Sequence, residues 1–140
     1  MFHSTGKKYR EIVKYAIKTK ILYSQKHNYT FYDEQNSLDE TRPIAWSKIK
    51  HILKYLDDYD YIVWIDADTY IMNDEIKLED IISNFMNKKH IMIAQDWKLP
   101  NTGVMFCKNS QWTKDFLNHI YKQEEFINHS NWEINCCFYI

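Results

Sequence analysis

The sequence is poor in the residues that shape irregular or cross-linked proteins. Its 140 residues include two glycines, two prolines and three cysteines. The odd number of cysteines, with Cys136 and Cys137 adjacent, implies no disulfide framework, so we expect buried thiols in a reducing compartment. No apolar run approaches the roughly 20 residues of a membrane-spanning helix, and the amino-terminus lacks a signal-peptide core. We therefore expect the chain as given to be soluble and cytoplasmic.

The sequence also lacks an excess of charge of one sign. Its net charge is −1, and its 18 basic residues are scattered among 19 acidic ones. These features exclude nucleic acid as a partner. The apolar fraction of 45% is typical of a globular protein, and 140 residues are enough for a single domain with a core. Residues with A/T-rich codons (Asn, Ile, Lys and Tyr) are abundant, which indicates an AT-rich genome such as that of a large DNA virus, a protist or a low-GC bacterium.

Helical and strand patterns alternate along the chain. Apolar spacing predicts helices over Lys7–Lys26, from Pro43 to Leu56, and over Leu78–Met86, Gln111–Phe126 and Trp132–Tyr139. Strand-forming residues predict strands over Asn28–Asp33, Tyr61–Ile65, His90–Ala94 and Val104–Cys107. This alternation predicts an α/β fold with a parallel or mixed sheet and helices on both faces.

The most informative segment is the apolar stretch Tyr61–Ile65, which runs directly into Asp66 and Asp68. In open α/β sheets, ligands bind at the carboxyl ends of strands. Two carboxylates at such a position suit Mn²⁺ or Mg²⁺, which are commonly shared with substrate phosphates. An unpaired buried carboxylate pair would be costly, so it needs a cation, hydrogen-bond donors or exposure. We interpret the pair as the metal–diphosphate site of an enzyme that uses a nucleotide-sugar.

Two alternatives accompany this interpretation. A second Asp-x-Asp pair, Asp58 and Asp60, lies in a polar segment before the strand and is typical of a solvated loop. A nuclease or phosphatase would also use an acidic pair. A two-metal site, however, needs further acidic or histidine ligands, which do not occur here in a recognisable spacing.

Three motifs occur in one order along the chain: Arg42-Pro-Ile-Ala-Trp46-Ser-Lys48, then Trp64-Ile-Asp66-Ala-Asp68, then Asp96 followed by Asn101-Thr-Gly103-Val-Met-Phe-Cys-Lys-Asn-Ser110-Gln-Trp112. Together they resemble glycosyltransferase family 34, which contains fungal α-galactosyl- and mannan-type transferases and plant xyloglucan xylosyltransferases. The resemblance is strongest over residues 42–117. It implies a GT-A-like (Rossmann-like) fold, a UDP- or GDP-sugar donor, a divalent metal that is usually Mn²⁺, retention of anomeric configuration, and a glycan or glycoprotein acceptor.

The resemblance also implies roles for individual residues: metal ligands Asp66 and Asp68; donor-binding residues Lys48, Asp66, Asp68, Asp96, Asn101 and Gly103; and catalytic residues Asp96 and Glu133. Asn101 and Gly103 match a turn in which the glycine is expected to adopt a special backbone conformation. Lys48 alternatively reads as an ordinary surface lysine. Trp46 is expected in the core, because its neighbours at helical spacing are apolar.

The sequence departs from the family pattern in ways that suggest a second function. The amino-terminal strand expected to hold the base is short, Ile134 replaces a glutamine expected near the anomeric carbon, and the chain resembles the central half of a catalytic domain, incomplete at both ends. The second hypothesis is therefore an inactive glycosyltransferase remnant that serves as a binding or interaction module. Its exposed sheet edge would favour self-association or a protein partner. Family members are usually anchored in the Golgi membrane.

Overall fold

The chain contains both helices and strands, and the predicted α/β class is confirmed. The computed structural model describes residues 7–97 and 100–128. Within them lie helices α1 (Lys7–His27), α2 (Ser47–Tyr55), α3 (Leu78–Ile81) and α4 (Gln111–Tyr121), strands β1 (Tyr61–Ile65), β2 (Ile91–Gln95) and β3 (Pro100–Lys108), two 3₁₀ turns (Ile44–Trp46 and Glu124–Phe126) and a π-helical turn (Ile82–Met86). The predicted helix Trp132–Tyr139 and the candidate Glu133 lie outside the described residues.

Local sequence sets several of the helix boundaries. Asn28 ends α1 in the left-handed conformation (φ 59°), and the next amide closes the turn by donating to the Ser24 carbonyl at 2.8 Å. Pro43 opens the 3₁₀ turn that leads into α2, as predicted. Ser110 caps α4 by accepting a hydrogen bond from the Thr113 amide at 3.2 Å. The helix predicted over Gln111–Phe126 is interrupted after Tyr121, where a turn separates α4 from the second 3₁₀ segment.

The three strands form a sheet of order β1-β3-β2, in which β3 pairs antiparallel with both neighbours. This direction differs from the parallel or mixed sheet that we expected. Residues 96–99 alone connect β2 to β3, and a parallel connection needs a crossover of roughly a dozen residues or more. The GT-A-like arrangement of the whole domain stays a prediction.

The predicted strand Asn28–Asp33 is wrong, because these residues form no ladder with any strand in the described part of the chain. Their aromatic side chains make the contacts instead. The Tyr29 hydroxyl accepts a hydrogen bond from the Leu78 amide at 3.1 Å, and the Tyr32 ring stacks on Tyr55 with centroids 3.9 Å apart. Strand propensity reflects how well side chains fit a half-buried surface, and it cannot supply a backbone partner.

The main core lies between one face of the sheet and helices α2 and α4. It is built from buried side chains of both helices, of β3 and of the residues that flank α2 on either side: Trp46, Ile49, Ile52, Leu56, Met105, Cys107, Leu117 and Ile120. The core position of Trp46 and the buried thiol of Cys107 are thus confirmed. Phe106 points to the opposite face and is also buried, so the opposite face of the sheet is covered at this position.

Helix α1 buries only some of the residues whose spacing marks it as a helix in the sequence. The residues at helical spacing are Ile12, Tyr15, Ala16, Thr19 and Tyr23. Ile12 and Tyr15 are exposed, whereas Val13, Ala16, Lys20 and Tyr23 are buried. The buried stripe therefore includes a lysine.

Although α1 has 21 residues, no helix in the described part of the chain is long and apolar enough to cross a membrane.

Glu34 lies in the loop before α2 and bonds to that helix. From this contact we predict that the stability of the protein depends on pH. The Glu34 carboxylate accepts hydrogen bonds from the Lys54 ammonium at 2.8 Å and from the hydroxyls of Ser37 and Tyr55. These bonds lower the pKa of Glu34 from its usual value of 4.5 to about 2. A lowered folded-state pKa stabilises the protein above pH 4.5, and this stabilisation is lost as the pH falls from 4.5 towards 2.

We expect the Glu34→Gln variant to be less stable than the wild type at pH 7. The difference in the free energy of unfolding should shrink as the pH falls from 4.5 towards 2. Urea unfolding at pH 7, 4 and 3, followed by far-ultraviolet circular dichroism, measures the difference. A difference that is the same at all three pH values would contradict the assignment.

Candidate active site

Asp66 and Asp68 lie on a tight turn directly after β1. The Asp66 amide donates to the Gly103 carbonyl at 2.8 Å, which continues the pairing with β3 by one residue. The Asp66 carbonyl then accepts from the Thr69 amide at 3.1 Å, which closes a β-turn. Asp68 occupies the third position of this turn. The direction of its side chain relative to Asp66 is therefore set by the turn backbone.

The carboxylate of Asp66 is held on one of its two oxygens. Oδ1 accepts a hydrogen bond from Trp64 Nε1 at 2.6 Å and lies 3.4 Å from the Lys48 ammonium. Oδ2 lies on the side of Gly103, and a methyl group added to that glycine would lie 3.3 Å from this oxygen. The side chain of Asp66 is still 37% exposed. One oxygen is thus fixed and compensated in charge, and the other remains available to a ligand.

The carboxylate of Asp68 is in a different state. It is exposed, and within residues 7–97 and 100–128 it makes no hydrogen bond or ion pair. Its charge acts on a neighbouring phenol: burial raises the pKa of Tyr9, and the charges of Asp68 and Asp66 raise it further. The turn thus presents one restrained and one unrestrained carboxylate.

Lys48 is buried beneath Asp66, so its interpretation as a surface lysine is wrong. The residue is 5% exposed, and its ammonium donates to both the carbonyl and the hydroxyl oxygen of Thr102 at 3.2 Å. Lysine is almost never buried without such partners, because desolvation of an ammonium is costly. These contacts connect α2, which carries Lys48, to the start of β3 and to the Asp66 carboxylate.

Asn101 and Gly103 lie within β3, so the predicted turn is wrong at these positions. The pairing with β2 shifts register between Ile93 and Ala94, and this irregularity accommodates the segment. Gly103 does not adopt a positive φ, and the special backbone conformation that we expected is absent there. What the glycine provides is space, since a methyl group would lie 2.9 Å from Asn101 Oδ1.

Hydrogen bonds join four of the predicted donor-binding residues, Asp66, Gly103, Asn101 and Asp96, into one group. The Gly103 amide donates to Asn101 Oδ1 at 2.8 Å, and Asn101 Nδ2 donates to Asp96 Oδ2 at 3.5 Å. Since Gly103 also pairs with Asp66, a continuous chain of contacts runs from Asp66 to Asp96. The structure thus brings together five of the predicted side chains with Gly103, whereas Glu133 lies outside the described residues.

Sequence reasoning missed Lys20 and Trp64. The Lys20 ammonium donates to the carbonyls of Asp66 and Ala67 at 2.6 Å and 3.0 Å. Burial lowers the pKa of Lys20, and the negative charges of Asp68 and Asp66 oppose this effect. The signal that could have revealed Lys20 is its place four residues after Ala16 and three before Tyr23, on the buried stripe of α1.

Comparison with known proteins places the chain in a family. Residues 1–89 match the model of the galactosyl transferase GMA12/MNN10 family. The matched region is more than half of the 140 residues, and it includes Lys48, Asp66 and Asp68 but ends before Asp96 and Asn101. No curated protein and no solved structure matches the chain. The chain therefore belongs to the galactosyl transferase GMA12/MNN10 family, glycosyltransferase family 34.

Proposed function

We propose that this chain is a retaining glycosyltransferase that transfers a hexosyl or pentosyl unit from a UDP- or GDP-sugar to a glycan acceptor, with Mn²⁺ or Mg²⁺ bound at Asp66 and Asp68. The main support is the unequal state of the two carboxylates. Trp64 and Lys48 hold one oxygen of Asp66, whereas Asp68 is exposed and makes no hydrogen bond or ion pair with the described residues. Such a pair can take up a cation without first breaking an ion pair of Asp68.

The donor set suits a hard divalent cation. Mn²⁺ and Mg²⁺ prefer oxygen ligands, and Mg²⁺ is usually held by one or two carboxylates together with substrate phosphates and water. The described residues contain no group of three His, Cys, Asp or Glu side chains that could hold a metal. We therefore assign the remaining positions to the donor diphosphate and water. When bound, the cation would act as a Lewis acid that stabilises negative charge on the leaving diphosphate.

We assign to residues of β3 and of the segment before it the role of orienting the donor sugar. Asn101 binds the Gly103 amide through its oxygen and approaches Asp96 through its nitrogen. This contact engages Oδ2 of Asp96 and leaves Oδ1 to accept a hydrogen bond from a sugar hydroxyl. Fixing a substrate in a reactive orientation lowers the barrier to transfer because the entropy is lost on binding rather than in the transition state.

The second candidate function is an inactive binding module, which keeps the donor site but does not transfer the sugar. Retention requires a group that stabilises positive charge near the anomeric carbon, and we assign this role to Asp96 and Glu133. Ile134 stands where the family pattern leads us to expect a glutamine, which favours an inactive binding module. The two candidates share metal-dependent nucleotide binding and differ in turnover. Release of UDP or GDP from a sugar donor in the presence of a glycan acceptor distinguishes them.

The first prediction concerns Asp68. Calorimetric titration of the wild type with UDP and GDP should show binding of one nucleotide that requires Mn²⁺. We expect Asp68→Asn to weaken this binding by more than about 100-fold, because loss of a direct ligand should exceed the roughly 10–100-fold cost of losing an outer-shell partner. Thermal unfolding should stay close to that of the wild type, since the Asp68 carboxylate makes no described hydrogen bond or ion pair.

Asp58→Asn is the matched control, because Asp58 is an exposed aspartate of the other Asp-x-Asp pair, before β1. It removes the same charge and should leave nucleotide binding unchanged. If Asp58→Asn and Asp68→Asn lose equal nucleotide affinity, the loss reflects the change in net charge and not the removal of a metal ligand. A folded wild type that binds neither nucleotide in the presence of Mn²⁺ would refute both candidate functions.

A further inference from the structure

Lys20 is a buried cation that the proposed chemistry does not yet use. It is 5% exposed and lies among the buried residues of α1, beside Ala16 and Tyr23. Removing an ammonium from water is costly unless it is paired, so a lysine at this position must have strong partners. Among the described residues, its hydrogen-bond partners are main-chain oxygens rather than a carboxylate.

Both oxygens belong to the turn that carries the two aspartates. The ammonium donates to the Asp66 carbonyl at 2.6 Å and to the Ala67 carbonyl at 3.0 Å. The same Asp66 carbonyl accepts the hydrogen bond from Thr69 that closes the turn. Lys20 therefore fixes the first two peptide planes of the turn. Rotation of either plane would move Asp68, the next residue, relative to Asp66.

We propose that Lys20 is a positioning residue for the metal site: it orients the Asp66–Thr69 turn so that both carboxylates can bind one divalent cation. The inference rests on the proposed function, because it gives Lys20 a role only if a cation binds there. An outer-shell contact of this kind acts by reducing the reorganisation that metal binding would otherwise require.

A purely structural role would need Lys20 only to attach α1 to the segment after β1. Other hydrogen bonds already provide that attachment. The Tyr23 hydroxyl donates to the Ile76 carbonyl at 2.6 Å, the Thr19 hydroxyl accepts from the Ile71 amide at 3.1 Å, and the Tyr70 hydroxyl donates to the Ile12 carbonyl at 3.0 Å. Lys20 differs from these residues because its bonds reach the aspartate turn itself.

The test measures Mn²⁺ affinity in the absence of nucleotide, by water-proton relaxation enhancement, for the wild type and for Lys20→Met. We expect Lys20→Met to bind Mn²⁺ roughly tenfold more weakly, in the range found for outer-shell partners of metal sites. Tyr23→Phe is the control, since it removes one bond between α1 and the following segment without touching the turn. It should bind Mn²⁺ like the wild type, whatever its thermal midpoint.

The possible results separate the inference from the function on which it rests. If Lys20→Met binds Mn²⁺ as tightly as the wild type, or more tightly because a positive charge has been removed, Lys20 does not position the site. If Tyr23→Phe loses as much affinity as Lys20→Met, the role of Lys20 is structural and the inference is overturned. A wild type that binds neither Mn²⁺ nor nucleotide overturns both the inference and the proposed function.

A second measurement covers the case in which Lys20→Met does not fold. In the wild type, addition of diamagnetic Mg²⁺ should shift the nuclear magnetic resonance signals of the Lys20 ammonium and of the Ala67, Asp68 and Thr69 amides with one common midpoint. Turn amides that respond to Mg²⁺ while the Lys20 signal stays fixed would overturn the inference.

Discussion

Replacing Gly103 with alanine is expected to abolish Mn²⁺-dependent nucleotide binding while the protein stays folded. The added methyl group would lie 2.9 Å from Asn101 Oδ1 and 3.3 Å from Asp66 Oδ2. The first distance is shorter than real contacts of a β-carbon, so the Asn101 side chain must move, and we expect this movement to break its bond from the Gly103 amide. Asn101 would then also lose its direction towards Asp96. One methyl group thereby disturbs both the metal side and the sugar side of the site.

The effect on stability should be much smaller than the effect on binding. Overpacking typically costs about 1–3 kcal/mol. Because Gly103 has no positive φ, alanine adds no backbone strain there and reduces the entropy of the unfolded chain. We expect a net loss of about 1 kcal/mol in the free energy of unfolding. Calorimetric titration and urea unfolding of the same preparation separate the two quantities.

A double-mutant cycle with Asn101→Ala tests the cause. If the contact with Asn101 Oδ1 is responsible for the lost stability, Gly103→Ala should cost less in the Asn101→Ala background than in the wild type. Nucleotide binding should stay weak in the double variant, because the amide of Asn101 is then missing. Wild-type binding by Gly103→Ala would show that Asn101 and Asp66 do not need their present positions.

Replacing Trp46 with alanine is expected to destabilise the protein by about 3–5 kcal/mol, the usual cost of truncating a buried aromatic residue. Trp46 is fully buried at the centre of the main core. Its ring meets Tyr121 edge-on at 6.3 Å, and the Arg42 guanidinium lies 4.9 Å from its centre. Domains are stable by only about 5–15 kcal/mol in total, so this single change should remove a large share of the stability.

Trp112→Ala is the matched control, because Trp112 is 50% exposed and stacks on Phe116 and His90 at the surface. Urea unfolding followed by circular dichroism should show less than half the loss seen for Trp46→Ala. If the two variants lose equal stability, the core is not centred on Trp46. At temperatures where Trp46→Ala remains folded, its nucleotide binding should persist, since the Trp46 ring packs against Tyr121 and Arg42, which are not donor-binding residues of the proposed site.

The sequence predicted those elements whose signals are local. Strand Tyr61–Ile65 has the predicted bounds because an apolar run is delimited by aspartates on both sides. The helical segment after Pro43 was predicted for a similar reason, namely a proline start followed by apolar residues at helical spacing. The α/β class follows from the order of these elements.

Features that depend on distant partners could not be predicted in the same way. Asn101 and Gly103 have turn-forming composition, yet pairing of β3 with its neighbours draws them into a strand. The burial of Lys48 and Lys20 depends on acceptors 54 and 46 residues away in sequence. Only the place of Lys20 on the buried stripe of α1 gave a hint. The two aspartates and Lys48 were named from the sequence, whereas the contact of Lys20 with the turn and the burial of both lysines needed the fold.

The order of the sheet has a consequence for how the protein is made. Among the described residues, β1 and β2 each pair with β3 and not with one another. During synthesis on the ribosome, both outer strands therefore emerge before the central strand that can join them. Until β3 leaves the exit tunnel, the apolar segment Tyr61–Ile65 has no strand to pair with. Its exposed apolar side chains can then aggregate or bind chaperones. A nascent chain whose synthesis has stopped near residue 89 would contain both aspartates but not β3, and it would therefore have no assembled site.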